Sequence, residues 1–183
     1  MELNPIKKKI LETLWQEGRP LKPKEIAQKT GLEFPSCMMH LIGLKKLKHV
    51  YTPEKGCYTI TNHGKQALGF PKINTKKASE ILSPVSSEKA FYFYAGIGKY
   101  LGLCATSLPD FCDKIQTVNI ESVKFHVSRK DFEFWLEGLG DLELAKRLSL
   151  IREEGVEGEE LRKRIYETVK SRCEELRNLA HQP

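Results

Sequence analysis

Pro23-Lys24-Glu25-Ile26-Ala27-Gln28-Lys29-Thr30-Gly31-Leu32 reads as a short helix followed by the turn that ends it. Pro23 suits a first helical turn, where its missing N–H is not needed. Ile26 and Ala27 give the segment one buried face. Gly31 permits the positive φ that reverses the chain, so Leu32 drops back into a core. Working outward, Leu21 begins this helix, and the stretch before it carries Ile6, Ile10, Leu11, Leu14 and Trp15 at helical spacing. That first helix has Asn4 as its N-cap, Pro5 in its first turn and Gly18 at its C-terminal end.

Downstream, a third helix opens at Pro35 and runs to about Lys48. At 100° per residue, Cys37, Leu41 and Leu44 face the core, with Leu47 at the edge. The opposite arc carries Ser36, Met39, Ile42, Gly43 and Lys46, with His40 and Lys45 on its flanks. Residues 49–51 are then expected to pair with residues 57–60 across the turn Pro53-Glu54-Lys55-Gly56. A last helical turn over residues 61–68 closes the segment. Three helices, a hairpin and this closing turn are, in order, the parts of a winged helix-turn-helix. That arrangement most often lays its third helix in the major groove of DNA.

Charge agrees with that expectation. Residues 1–80 hold 15 Lys+Arg against 7 Asp+Glu, whereas residues 81–183 hold 15 against 17. The balance of +8 thus falls on the first part of the chain, where phosphate contact would need it. A balance of −2 argues against a second nucleic-acid binder. With 40% apolar and 30% charged residues, and no apolar run near the ~18 residues that span a bilayer, the sequence reads as soluble and free of membrane partners. The first residues have no apolar stretch that would serve as a secretion signal, so a cytoplasmic location is expected. Five scattered cysteines without a C-x-x-C pair point to reduced, mostly buried thiols rather than a disulfide framework or a metal site.

Three regions are expected: a winged helix-turn-helix over 1–70, a linker over 71–87 containing Pro71, Pro84 and several serines, and an α+β domain over 88–183. In the last, residues 90–94 form a strand with aromatic rings on both faces, and residues 101–105 a weaker one. Ser107 caps a helix with Leu108, Phe111, Cys112 and Ile115 on one side. Val123-Lys124-Phe125-His126-Val127 alternates as a half-buried strand does. Asp131 is expected to cap a helix burying Phe134 or Trp135, and Asp141 a further helix carrying Leu144, Leu148 and Ile151. A long amphipathic helix over about 159–179 ends the chain, with Leu161, Ile165, Val169, Cys173 and Leu176 in one stripe. Such a stripe packs on its own domain, contributes to a homodimer, or does both.

Chemistry has few candidates. Lys45, Lys46, Lys48 and Lys55 are placed to pair with phosphates. Ser36, Met39, His40 and Gly43 are the groups nearest to base edges, though Arg, Asn and Gln, the better readers, are missing. In the second domain His126, Arg129 and Asp131 form the one polar cluster that could hold an anion or a ligand. The plainer reading makes Asp131 and Asp141 helix caps and His126 an ordinary strand residue. Gly96-Ile97-Gly98 lacks the third glycine of a dinucleotide loop, and no P-loop or nucleophile elbow is present. The sequence therefore names no catalytic residue, metal ligand or cofactor, and an enzyme is not expected.

The segment 5–68 also resembles the winged-helix domains of archaeal transcriptional regulators. The resemblance rests on Ile10-Leu11, Lys24-Glu25-Ile26-Ala27, His40-Leu41, Leu44, Val50, Gly56-Cys57-Tyr58, Thr61 and Gly64. It departs at Met38-Met39, where more polar residues are usual. The second part looks like an uncharacterised archaeal domain family, through Phe91-Tyr92-Phe93-Tyr94, Ser107-Leu108, residues 122–127, Arg129, Asp131-Phe132, Trp135, Leu139-Gly140-Asp141 and Leu144-Ala145. The two resemblances imply a regulator that binds double-stranded DNA and uses its second domain to dimerise or to sense an effector of unknown identity. The alternative is a protein-interaction module in which Met38, Met39 and Ile42 form an apolar patch for a partner. Burial of Met39 would favour that alternative, and an exposed face flanked by lysines would favour DNA. An enzyme using His126 and Asp131 would need both side chains to converge in a pocket.

Overall fold

The computed structural model describes residues 3–181 and divides the chain into two compact units, Met1–Lys72 and Ile73–Pro183. The fold is mixed α+β: helices dominate, each unit has one small antiparallel sheet, and a long helix ends the chain.

In the first unit, helix α1 spans Pro5–Glu17. The Asn4 side chain accepts the Ile6 N–H at 2.8 Å, and Gly18, at φ 62°, donates its N–H to the Leu14 carbonyl. The apolar stripe this leaves, Ile10, Leu11, Leu14 and Trp15, is buried. Helix α2 spans Pro23–Thr30, and Glu25 reaches back to accept the Lys22 N–H at 2.9 Å. That bond and the Arg19 guanidinium hold the Glu25 carboxyl below its usual pKa. Helix α3 spans Phe34–Lys46. Strands β1 (Val50–Tyr51) and β2 (Thr59–Ile60) pair antiparallel, Val50 opposite Ile60 and Tyr51 opposite Thr59. Helix α4, Asn62–Ala67, is capped by Thr61, whose Oγ1 accepts the Gly64 N–H.

Two details differ from the sequence expectation. Leu21 does not begin α2. It lies extended against Tyr58, exchanging N–H···O bonds of 2.9 and 2.8 Å, and so adds a third rung to the hairpin. Leu47 is exposed rather than at the core edge, because α3 stops one residue earlier and the chain turns there. Gly64 is fixed by close approach: a Cβ there would lie 2.2 Å from the His49 carbonyl oxygen, which also accepts the Thr61 N–H.

The second unit corrects the sequence expectation more deeply. Residues 71–87, expected as a linker, contain helix α5, Thr75–Leu82, capped by Asn74. Its Ala78 and Ile81 are fully buried in the unit's core. A 3-10 turn, Ser87–Lys89, leads into strands β3 (Phe91–Tyr94) and β4 (Tyr100–Ala105), which pair antiparallel. Helix α6, Leu108–Ile115, is capped by Ser107 as expected. The expected strand at 123–127 is instead part of helix α7, Ile120–Ser128, capped by Asn119. Its buried residues are Ser122, Val123 and His126, a helical spacing that the alternation of Val123, Phe125 and Val127 conceals.

Helix α8 spans Asp131–Leu139, with Lys130 rather than Asp131 at the N-cap position. It buries Phe132 and Leu136. Phe134, expected inside, is 62% exposed, and Trp135 is half-buried with its Nε1–H donated to the Lys89 carbonyl at 2.8 Å. Helix α9, Leu142–Glu153, is capped by Asp141. Helix α10, Gly158–Ala180, buries the whole stripe Leu161, Ile165, Val169, Cys173 and Leu176 within its own unit. The centre of the core is aromatic: Phe91, Phe93, Phe111 and Phe132 lie with ring centroids 5.0–5.9 Å apart.

Candidate nucleic-acid interface

Helix α3 has two faces. Cys37, Leu41 and Leu44 are fully buried, while Met39 (61% exposed), Ile42 and Lys46 face solvent. Ser36 and His40 are half-buried on the flanks. Gly43 is half-buried for a reason that spacing along α3 cannot give. Lys7 of α1 lies beside it, and a Cβ at position 43 would meet Lys7 Cε and Nζ at 3.6 Å. That is ordinary contact distance, and the packing brings the Lys7 ammonium next to α3. Lys7 was not among the expected contact residues. Its only sequence signal is the run Lys7-Lys8-Lys9 on an otherwise amphipathic helix.

The remaining lysines surround this face from three local structures. Lys45 donates from Nζ to Thr52 Oγ1 at 3.1 Å, which steadies its stem against the start of the hairpin turn. Lys48 follows α3 in the left-handed region, φ 57°, where its N–H bonds the Lys45 carbonyl and the next N–H, of His49, bonds the Leu44 carbonyl. A lysine there costs about 1 kcal/mol relative to glycine. Lys55 stands exposed in the turn between β1 and β2, beside Gly56 at φ 78°. Among the described residues, none of Lys7, Lys45, Lys46, Lys48 and Lys55 takes part in an ion pair. Their charge is uncompensated.

The second unit holds the other expected cluster, and its three members do come together. His126 Nδ1 lies 2.8 Å from Asp131 Oδ2, and Arg129 Nε donates to the same oxygen at 3.1 Å. His126 Nε2 accepts the backbone N–H of Tyr94 at 2.9 Å, so Nδ1 must carry the proton and donate to Asp131. Burial lowers the His126 pKa, and the neighbouring Asp131 only partly opposes this. Both ring nitrogens are therefore used in tying α7 to β3 and to the start of α8. The Asp131 carboxylate occupies the position beside Arg129 where a bound anion would sit.

Two further polar groups lie deep in this unit. Arg172, 2% exposed, donates to both Asp141 oxygens at 2.8 and 2.9 Å and reaches Glu143 at 3.1 Å and Glu175 at 2.8 Å. Burial works against its charge, but the bonds to Asp141 and the three carboxylates outweigh it, and its pKa rises above the ordinary arginine value. Elsewhere a narrow cleft with room for little more than one water is lined by Val127, Phe132, Leu148, Ile151, Leu161 and Ile165 with Glu133 and Arg152. Glu133 Oε1 accepts from Arg152 Nε at 2.9 Å. His126, Arg129 and Asp131 do not line it. No helix among the described residues is long and apolar enough to cross a membrane.

The model of a family of unknown function, DUF5752, matches residues 72–170, more than half of the chain. The chain belongs to that family. No curated protein and no solved structure matches it. The DUF5752 segment starts one residue before the second compact unit, so α5 belongs with the family's domain and not with a linker. It contains the His126–Asp131 strut and the carboxylates of Asp141 and Glu143, while Arg172 lies just beyond the matched residues.

Proposed function

We propose that the first unit of this DUF5752 protein is a winged helix-turn-helix that docks α3 in the major groove of double-stranded DNA, and that the protein is a cytoplasmic transcriptional regulator. The observation that carries this reading is the exposed face of α3 with five unpaired lysines around it: Lys7, Lys45, Lys46, Lys48 and Lys55. An uncompensated cationic face gains most from a polyanion, because each phosphate contact releases condensed counterions. In this pose Met39 and Ile42 meet thymine methyls, Ser36 and His40 offer single hydrogen bonds, and Lys55 reaches the adjacent backbone from the hairpin turn. Gly43 lies beside Lys7 and takes no part in base reading.

Affinity in this reading comes mostly from the backbone, and sequence preference is modest. The test is the binding of random duplex DNA by the full chain, followed by fluorescence anisotropy at several salt concentrations. Five phosphate contacts predict that log K falls with log salt at a slope of about −4.5. No binding at low salt would reject the reading.

One observation favours a second reading. Phe34, Met39, Ile42 and Leu47 are all exposed on or just after α3, more apolar surface than base reading requires. A protein partner would cover it, and Met39→Glu would then abolish capture of that partner while leaving DNA affinity the lesser casualty.

A further inference from the structure

The hairpin of β3 and β4 carries a surface that the DNA reading does not use. Tyr92, Tyr94 and Tyr100 stand on its outward face, with ring centroids of Tyr100 at 5.9 Å from Tyr92 and 5.3 Å from Tyr94. The turn between the strands, closed by the Ala95 N–H donating to the Lys99 carbonyl at 3.0 Å, presents Ile97 between Gly96 and Gly98. Ile97 is 87% exposed and Tyr100 47%. Tyr92 donates its hydroxyl to the Ser87 carbonyl at 2.8 Å, so this ring is already ordered. An ordered aromatic patch ending in an exposed isoleucine gives contact area at low entropic cost.

We propose that this face docks against the same face of a second copy of the chain, forming a two-fold homodimer through the DUF5752 unit. Charge selects the occupant. From residue 90 to residue 107 the only charged residue is Lys99, so two identical faces meet with a single like-charge pair to keep apart. The other apolar surface, on α3, is ringed by lysines and would repel its own copy. The weakly acidic balance of residues 81–183 disfavours nucleic acid as the occupant of the tyrosine face.

Two other routes to a dimer are closed. The apolar stripe of α10 is spent inside its own unit. Strand addition at β4 is blunted because the pairing slips between Tyr92 and Tyr94 and Gly102 adopts φ 68°, which kinks the strand. Contact therefore runs through side chains, face to face.

The area sets the strength. At these exposures the patch leaves on the order of 400 Å² uncovered, the size of a functional patch on a monomer. Two such faces bury at most on the order of 800 Å² in total, below the usual range for tight complexes. A reversible dimer with Kd in roughly the micromolar range follows.

The test is sedimentation velocity on the full chain without DNA, over roughly 1 to 200 µM. A concentration-dependent dimer is expected, and Ile97→Asp and Tyr100→Ser should each weaken it at least about tenfold. Ile97 is almost fully exposed, so its replacement leaves the fold intact, which circular dichroism checks. A monomer at every concentration, or a dimer indifferent to both replacements, overturns the proposal. A monomer that shifts only on adding another protein would assign the face to a different partner. None of these outcomes depends on whether the first unit binds DNA.

Discussion

The two parts of this chain carry equal numbers of cations and deploy them in opposite ways. Of the fifteen in residues 1–80, fourteen are lysines, and of those around α3 Lys45, Lys46, Lys48 and Lys55 are exposed, Lys7 is half-buried, and none is ion-paired among the described residues. Of the fifteen in residues 81–183, seven are arginines, and six of these, at 129, 147, 152, 162, 164 and 172, are paired with glutamate or aspartate inside one unit. The difference follows from the side chains. A guanidinium presents a rigid fork that matches a carboxylate and tolerates burial, whereas an ammonium is a strongly hydrated point charge on a flexible stem. The first unit leaves the lysines around α3 without carboxylate partners, and the second spends its arginines on holding itself together.

The sharpest way to break this comparison is to remove a cation the second unit uses internally. Arg172→Ala leaves the buried Asp141 carboxylate without its guanidinium, and the expected loss is about 3–5 kcal/mol in urea denaturation. A loss under about 1 kcal/mol would show that the network is decorative. DNA affinity of the first unit should survive this change under native conditions.

Next in size is the His126 strut. His126→Phe strands the Tyr94 N–H and costs about 1–3 kcal/mol. The wild type should also lose stability in acid. Above the unfolded-state pKa of about 6.5 both states hold a neutral imidazole, and the strut contributes fully. Below it the unfolded chain binds a proton that the folded chain, with its lowered pKa, does not, so stability declines until the folded pKa is reached. Melting curves between about pH 7 and pH 5 read this, and the His126→Phe variant should lack that component of the slope.

In the first unit, Gly64→Ala should cost about 1–3 kcal/mol by forcing the His49 carbonyl aside. The smallest effect separates stability from binding. Lys48→Gly relieves a left-handed lysine, adding up to about 1 kcal/mol of stability, while it reduces the salt slope of DNA binding by about 0.9. A variant that gained stability with an unchanged slope would remove Lys48 from the phosphate-facing set.

These predictions rest on features that were unequally legible in the sequence. Helices with capping residues at their ends were readable: Asn4 and Gly18 bracket α1, Ser107 opens α6 and Asp141 opens α9. Two kinds of segment were not. Helix α5 has only Ala78 and Ile81 inside, too few for a period, and owes its place to packing in a core whose other members lie far along the chain. Residues 123–127 alternate Val, Phe and Val as a strand does, yet Asn119 caps them into a helix that buries His126. Asp131 and Asp141 look alike in sequence, each preceding a helix, but Asp131 is already helical and spends its carboxylate on His126 and Arg129. The partner of Asp141, thirty-one residues away, has no local signal at all. Around α3 the exposure of Met39, Ile42 and Lys46 was readable from spacing, whereas the half-burial of Ser36 and Gly43 and the approach of Lys7 to Gly43 were not.

The most direct measurement is the salt dependence of duplex DNA binding for the wild type and for the triple variant with Lys45, Lys46 and Lys55 replaced by alanine. The variant should bind every sequence more weakly, with a slope shallower by about 2.7. Equal affinity and an equal slope for the two proteins would contradict phosphate contact through this face and assign the unpaired lysines to solvent.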